Sequence, residues 1–134
     1  MNTYHDGAAL IARILLSIMF IYSGFGKLVG FDGTVGYIAK QGLPVPQLMA
    51  AVAVAVELGA GVLLLVGYKT RWAALAIFLF LIPTTLIFHN FWAVDAAQVQ
   101  AQTIQFMKNL AIMGGMLYVM AFGAGPLSLD NRER

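Results

Sequence analysis

Six residues carry most of the chemistry open to this chain: Arg13, Lys27, Glu57, His89, Lys108 and Asn109. Each lies inside a long apolar stretch or at the end of one. Glu57 is the costliest, because it sits near the middle of Leu48 to Tyr68, LMAAVAVAVELGAGVLLLVGY. A carboxyl in the middle of a membrane costs about 2.5 kcal/mol or more on insertion scales, so it must be paired, protonated or in use. A buried carboxyl and an imidazole suit proton relay, which makes Glu57 and His89 the candidate catalytic groups. The cations and the amide, Arg13, Lys27, Lys108 and Asn109, are donors for carbonyl oxygens and stand as the candidate substrate-binding groups. With Tyr22, Phe25 and Trp92 as apolar walls, such a pocket suits a flat lipid-soluble molecule, for example a quinone.

Each of these residues also has a purely structural reading. Lys27 and Lys108 can anchor lipid headgroups by snorkelling, and His89 beside Phe91 and Trp92 fits an interfacial belt. Asn109 can bond one helix to another, and Arg13 can pair with Glu57 or with Asp130. Glu57 itself can be half of a structural ion pair.

Other chemistries find little support. Cysteine is absent, which excludes thiol–disulfide exchange, iron–sulfur ligation and cysteine-based metal sites within this chain. The two histidines, His5 and His89, are expected near opposite membrane faces and cannot share a haem iron. Glu57 and His89 alone are too few for a metal, and no flavin-binding pattern is present. Eight basic residues, scattered along the chain, do not make a nucleic-acid surface.

The elements that must position these groups are membrane spans. Of 134 residues, 60% are hydrophobic and 10% charged, too few polar residues to cover a soluble core. Twenty-one residues of helix, as in Leu48 to Tyr68, make a rod of about 31 Å, the thickness of a bilayer's hydrocarbon core. Four such spans are expected, at about 8–28, 48–68, 72–89 and 104–122, in one domain over 1–134. The fold expected is an all-α integral membrane four-helix bundle with antiparallel up-down topology. The region before the first span has no Lys or Arg and no A-x-A site follows, so that span reads as a transmembrane helix and not a cleaved signal. The stretch 34–41 reads as a short interfacial helix, Leu43-Pro44-Val45-Pro46 as a break, and 93–105 as a polar loop or surface helix. Pro83, followed by two threonines, predicts a kink in the third span. Lys69, Arg71, Arg132 and Arg134, with Arg13 just inside the membrane, face Lys27, Lys40 and Lys108 on the other side. That bias puts both termini in the cytoplasm.

The motifs also occur in a telling order. Ala12-Arg13, then Ser23 to Leu28 (SGFGKL), Gly42-Leu43-Pro44, Glu57-Leu58-Gly59 and Leu64 to Arg71 (LLVGYKTR) come first. His89 to Trp92, Phe106 to Leu110 (FMKNL), Gly114-Gly115 and Gly123 to Asp130 (GAGPLSLD) follow. The set resembles the DoxX family of small bacterial inner-membrane proteins, in particular its short members described as inner-membrane oxidoreductases. The resemblance spans nearly the whole chain. It implies four transmembrane helices, a place in the bacterial inner membrane and a link to quinone-dependent redox complexes. It assigns no catalytic role to any matching residue.

Two function classes follow. One is a quinone-linked oxidoreductase, or the membrane subunit of one, which would draw electrons from a soluble redox partner. The other is a non-enzymatic carrier of small solutes or lipids, or a membrane assembly factor. The expected surroundings are the lipid bilayer and, given the small residues between Ala50 and Gly61, a second copy of the chain in a homodimer.

Overall fold

A computed structural model describes residues 2–133; Arg134, counted above in the charge bias, lies outside them. The described residues form helices and no strand. Helix α1 (Thr3–Val29) is followed by the short α2 (Phe31–Lys40) and by a composite third helix, α3 (Pro46–Val66). Next come α4 (Thr70–Phe88), a 3₁₀ turn (Phe91–Ala93), α5 (Ala96–Phe122) and α6 (Leu129–Arg132). Four helices, Thr3–Val29, Pro46–Val66, Thr70–Ala93 (with the 3₁₀ turn) and Ala96–Phe122, are long and apolar enough to cross a membrane. Only 17–33% of each span's apolar window is buried within the chain, so the rest of that surface needs a non-aqueous neighbour.

The expected interfacial helix at 34–41 is α2, whose Tyr37 ring stacks on Phe88 at the end of α4 with centroids 5.4 Å apart. That contact puts the ends of α1 and α4 at the same edge of the bundle. The stretch 93–105 is largely helical, because α5 begins at Ala96. α4 runs through Pro83, and the Thr84 hydroxyl donates to the Phe80 carbonyl at 2.8 Å. A hydroxyl supplied in this way partly offsets the amide that proline removes.

Packing pairs α1 with α3 and α4 with α5 around Phe20, Leu64, Ala74, Ile77, Leu81 and Met116. On α1 the inward face runs Arg13, Ser17, Phe20, Gly24, Lys27, with steps of three and four that keep one face of a helix. Asn109 of α5, buried, donates to the Thr85 hydroxyl of α4 at 3.0 Å, a bond between helices of the kind expected for it.

One end of the bundle is fastened by backbone chemistry. α3 stops at Gly67, which takes φ +70, and the Tyr68 amide returns to the Leu63 carbonyl at 3.0 Å. The carbonyls that remain there meet Arg13, whose guanidinium donates to Leu64 O at 3.2 Å, Leu65 O at 2.8 Å and Leu127 O. The Asp130 carboxylate accepts from the Lys69 amide at 2.7 Å and the Thr70 amide at 3.0 Å, capping the start of α4. The Asp130 amide in turn donates to Gly67 O at 2.7 Å.

A Cβ at residue 67 would stand 2.5 Å from Arg13 Nη1 and 2.5 Å from Ser128 Cβ, in a backbone conformation that L residues avoid. Left-handed strain of about 1–2 kcal/mol plus overpacking of about 1–3 kcal/mol sets the expected cost of Gly67→Ala at roughly 2–5 kcal/mol. Gly114 of α5 has nothing within 4 Å of its would-be Cβ, so Gly114→Ala should be neutral or gain up to about 1 kcal/mol. Thermal unfolding of both variants in detergent checks the contrast, with a lowered midpoint expected only for Gly67→Ala.

Candidate functional site

The middle of α3 is not an α-helix. Pro46–Val54 and Gly61–Val66 are α-helical, but Ala55–Ala60 (AVELGA) is a π-turn with Glu57 inside it. A π-turn widens the helix and re-aims the side chains it carries, and such turns occur often at functional sites. Here it lies against α1, where Gly24 makes the approach possible. A Cβ on Gly24 would come within 2.6 Å of the Leu58 amide nitrogen and 3.0 Å of Glu57 Cβ.

The groups that meet the carboxylate flank this contact on α1, Ser23 one residue before Gly24 and Lys27 three residues after it. Lys27 Nζ lies 2.9 Å from Glu57 Oε2, an ion pair between two spans. The same ammonium donates to Ser23 Oγ at 2.7 Å, and Ser23 Oγ donates to Glu57 Oε1 at 3.3 Å. Ser23 and Lys27 are four residues apart, hence on one face, so α1 presents hydroxyl and ammonium together. The result is a closed triangle of carboxylate, ammonium and hydroxyl. Glu57 is buried at 10% side-chain exposure, whereas the Lys27 side chain is 33% exposed. The cation therefore forms the open side of the group and the anion the closed side.

The other candidate residues are placed elsewhere. Arg13 is fourteen residues from Lys27 on α1, about 21 Å along the axis. It reaches neither Glu57 nor any substrate-like pocket with it, because its donors are taken by the three carbonyls at the end of α3 and the C-terminal segment. Asn109 is spent on Thr85. Lys108 is exposed, and among the described residues no hydrogen bond or ion pair holds it. His89 Nδ1 lies 2.9 Å from Gln102 Oε1, joining the end of α4 to the start of α5. Tyr22 is 83% exposed and Phe25 and Trp92 are each 58% exposed, so they face outward and do not wall an enclosed pocket. The structure thus brings together two of the six residues, Lys27 and Glu57. It adds a third, Ser23, that residue type alone did not single out; its position four before Lys27 was the available signal. No group of three or more His, Cys, Asp or Glu able to hold a metal occurs among the described residues.

Comparison with known proteins agrees with this architecture. The DoxX family profile matches residues 8–90, which run from within α1 past the end of α4 and include the whole Lys27–Ser23–Glu57 group. The chain belongs to the DoxX family. It is 41% identical over 98% of its length to the inner membrane protein YphA of Escherichia coli, covering 100% of that protein. To YqjF, another E. coli inner membrane protein, it is 37% identical over 97% of this chain and 95% of the relative. A further relative, named "Putative oxidoreductase CatD" in Bacillus subtilis, is 37% identical over 53% of this chain and 52% of its own length. No solved structure matches. With four spanning helices and inner-membrane relatives along its full length, this is a multi-pass membrane protein.

The ion pair has a measurable signature. Removing one partner of a buried pair leaves a bare charge in low dielectric, typically 3–5 kcal/mol; with Lys27 one-third exposed we expect about 3 kcal/mol for Lys27→Met. The double variant Lys27→Met/Glu57→Gln should unfold at a higher temperature than Lys27→Met alone. Additive costs in that double-mutant cycle would mean that the two side chains do not interact.

Proposed function

We propose that this DoxX protein is an inner-membrane subunit of a quinone-linked oxidoreductase, with Lys27, Ser23 and Glu57 as its proton-handling group. The observation that carries this reading is the carboxylate–ammonium pair at 2.9 Å, bridged by a hydroxyl and seated in a π-turn inside the membrane. A quinone supplies an acceptor for two electrons and two protons. Its carbonyl oxygen fits the donor that is open to the surroundings, the Lys27 ammonium, while Glu57 stays behind it. Lys27 holds and hands on the proton at Nζ. Glu57 Oε2, 2.9 Å away, holds the ammonium in place for that exchange. His89, at the same edge of the bundle and bonded to Gln102, is the group through which that proton comes from water. The two electrons come from a soluble redox partner that docks at the Lys27 edge of the bundle, and the two protons pass through Lys27 one after the other. The name of the B. subtilis relative, an oxidoreductase, supports the same class.

Mass spectrometry of small molecules retained after mild-detergent purification tests the reading. We expect near-stoichiometric quinone with the wild-type protein and at least a tenfold loss in Lys27→Met and in Glu57→Gln/His89→Ala. Equal retention in all three, or no quinone in the wild type, would overturn it. Substrate flux in proteoliposomes, without an electron donor, would then identify a small-solute or lipid carrier.

A further inference from the structure

A cavity of about 540 Å³ lies away from Glu57, at the fastened end of the bundle. Two cations line it, Lys69 and Arg71, together with two aromatic rings, Trp72 and Phe122. Trp72 begins the third span and Phe122 ends the fourth, so the cavity opens at a membrane edge. Both rings are turned outward, 72% and 77% exposed, as aromatic residues at a bilayer interface are. The geometry points to a binding site for an anionic phospholipid, its phosphate on Lys69 and Arg71 and its glycerol and upper acyl chains against Trp72 and Phe122.

The charges are available for this. The Arg71 guanidinium lies over the Gly123 backbone, with Nε and Nη2 each 3.4 Å from where a Cβ would be, and no ion pair engages it among the described residues. Lys69 Nζ lies 5.8 Å from the centroid of the Tyr68 ring, a contact that orients the ammonium and leaves its charge intact. Asp130 also lines the cavity, but its carboxylate oxygens accept from the Lys69 and Thr70 amides. The helix start is therefore already capped, and attraction for a phosphate comes from the two side chains. The Thr70 hydroxyl, which belongs to the same wall, is buried without a hydrogen-bond partner. A headgroup hydroxyl or phosphate oxygen would satisfy it.

The choice of a lipid over a soluble phosphate rests on the rings. A free phosphate needs the cations only, whereas Trp72 and Phe122 give the site an apolar flank continuous with the outer surface of two spans. This site is independent of the redox reading of Lys27 and Glu57.

Native mass spectrometry of the intact protein released from phosphatidylglycerol/phosphatidylcholine nanodiscs tests it. We expect one phosphatidylglycerol to persist on the wild type and retention to fall at least tenfold in Lys69→Gln/Arg71→Gln. The control Lys40→Gln/Lys108→Gln removes the same charge elsewhere and should retain the lipid. Equal retention in the two double variants would overturn the proposal, as would displacement of the lipid by glycerol-1-phosphate at equal concentration, which would mark a soluble-phosphate site. A second measurement needs no variant. Photo-crosslinking of wild type with a phosphatidylglycerol carrying a diazirine near the glycerol should label peptides 69–72 and 122–131, and uniform labelling along all four spans would equally refute the site.

Discussion

Inside hydrocarbon no water is available to complete a polar group, so a buried donor or acceptor there is costly unless the protein supplies its partner. The carboxylate of Glu57 is the strictest case. It is far too deep and too short to reach an interface, and its needs fix what α1 must offer opposite it. A lysine brings the charge and a serine one turn earlier brings a hydroxyl. A glycine between them removes the side chain that would hold the helices apart. The π-turn completes the match from the other side. These features serve one contact, and the pairing of α1 with α3 is organised by it.

The opposite end of the bundle solves the same problem for backbone. Helix ends leave carbonyls and amides without intrahelical partners, and α3 and α4 meet there in a turn of three residues. Arg13 takes the carbonyls and Asp130 takes the amides. The two side chains come from α1 and from the C-terminal segment, so the cap of one hairpin also ties down both ends of the chain. Opposite charges are used here against opposite ends of peptide dipoles, which locates each more narrowly than a bare attraction between the two would.

Much of this was legible in the sequence because hydrocarbon is a simple solvent. Four apolar runs, a Pro-rich break before Gln47 and a Gly-Tyr-Lys-Thr-Arg turn lead directly to four spans, the short α2 and an antiparallel hairpin. Glu57 stood out because burial makes a lone acid costly, and Lys27 because it closes the first span. What could not be read was partner choice. Arg13 and Glu57 look like a natural pair by charge, yet they belong to different ends of the bundle. Whether an arginine takes a carboxylate or three carbonyls depends on where neighbouring helices end. The π-turn was hidden for a related reason: AVELGA has the composition of an ordinary helix, and the register shift arises from what it packs against. The walls expected of Tyr22, Phe25 and Trp92 failed on helix phase, since on α1 the inward stripe of Ser17, Phe20, Gly24 and Lys27 turns Tyr22 and Phe25 outward.

The two polar centres on α1 differ in kind, and the difference bears on which of them can do chemistry. Arg13 is held by three backbone carbonyls through its two terminal nitrogens. Its bonds cannot be exchanged without loosening the turn and the C-terminal segment together. Lys27, Ser23 and Glu57 are bonded side chain to side chain. Proton transfer there, on the proposed reading, would involve these side chains only and leave the Arg13 and Asp130 contacts of the α3–α4 turn in place. The ammonium, moreover, is the more exposed member, so the group can meet a reactant without the carboxylate being drawn out of its π-turn. A backbone clasp at one end and a side-chain triangle at the other separate what fastens the bundle from the group proposed to do its chemistry.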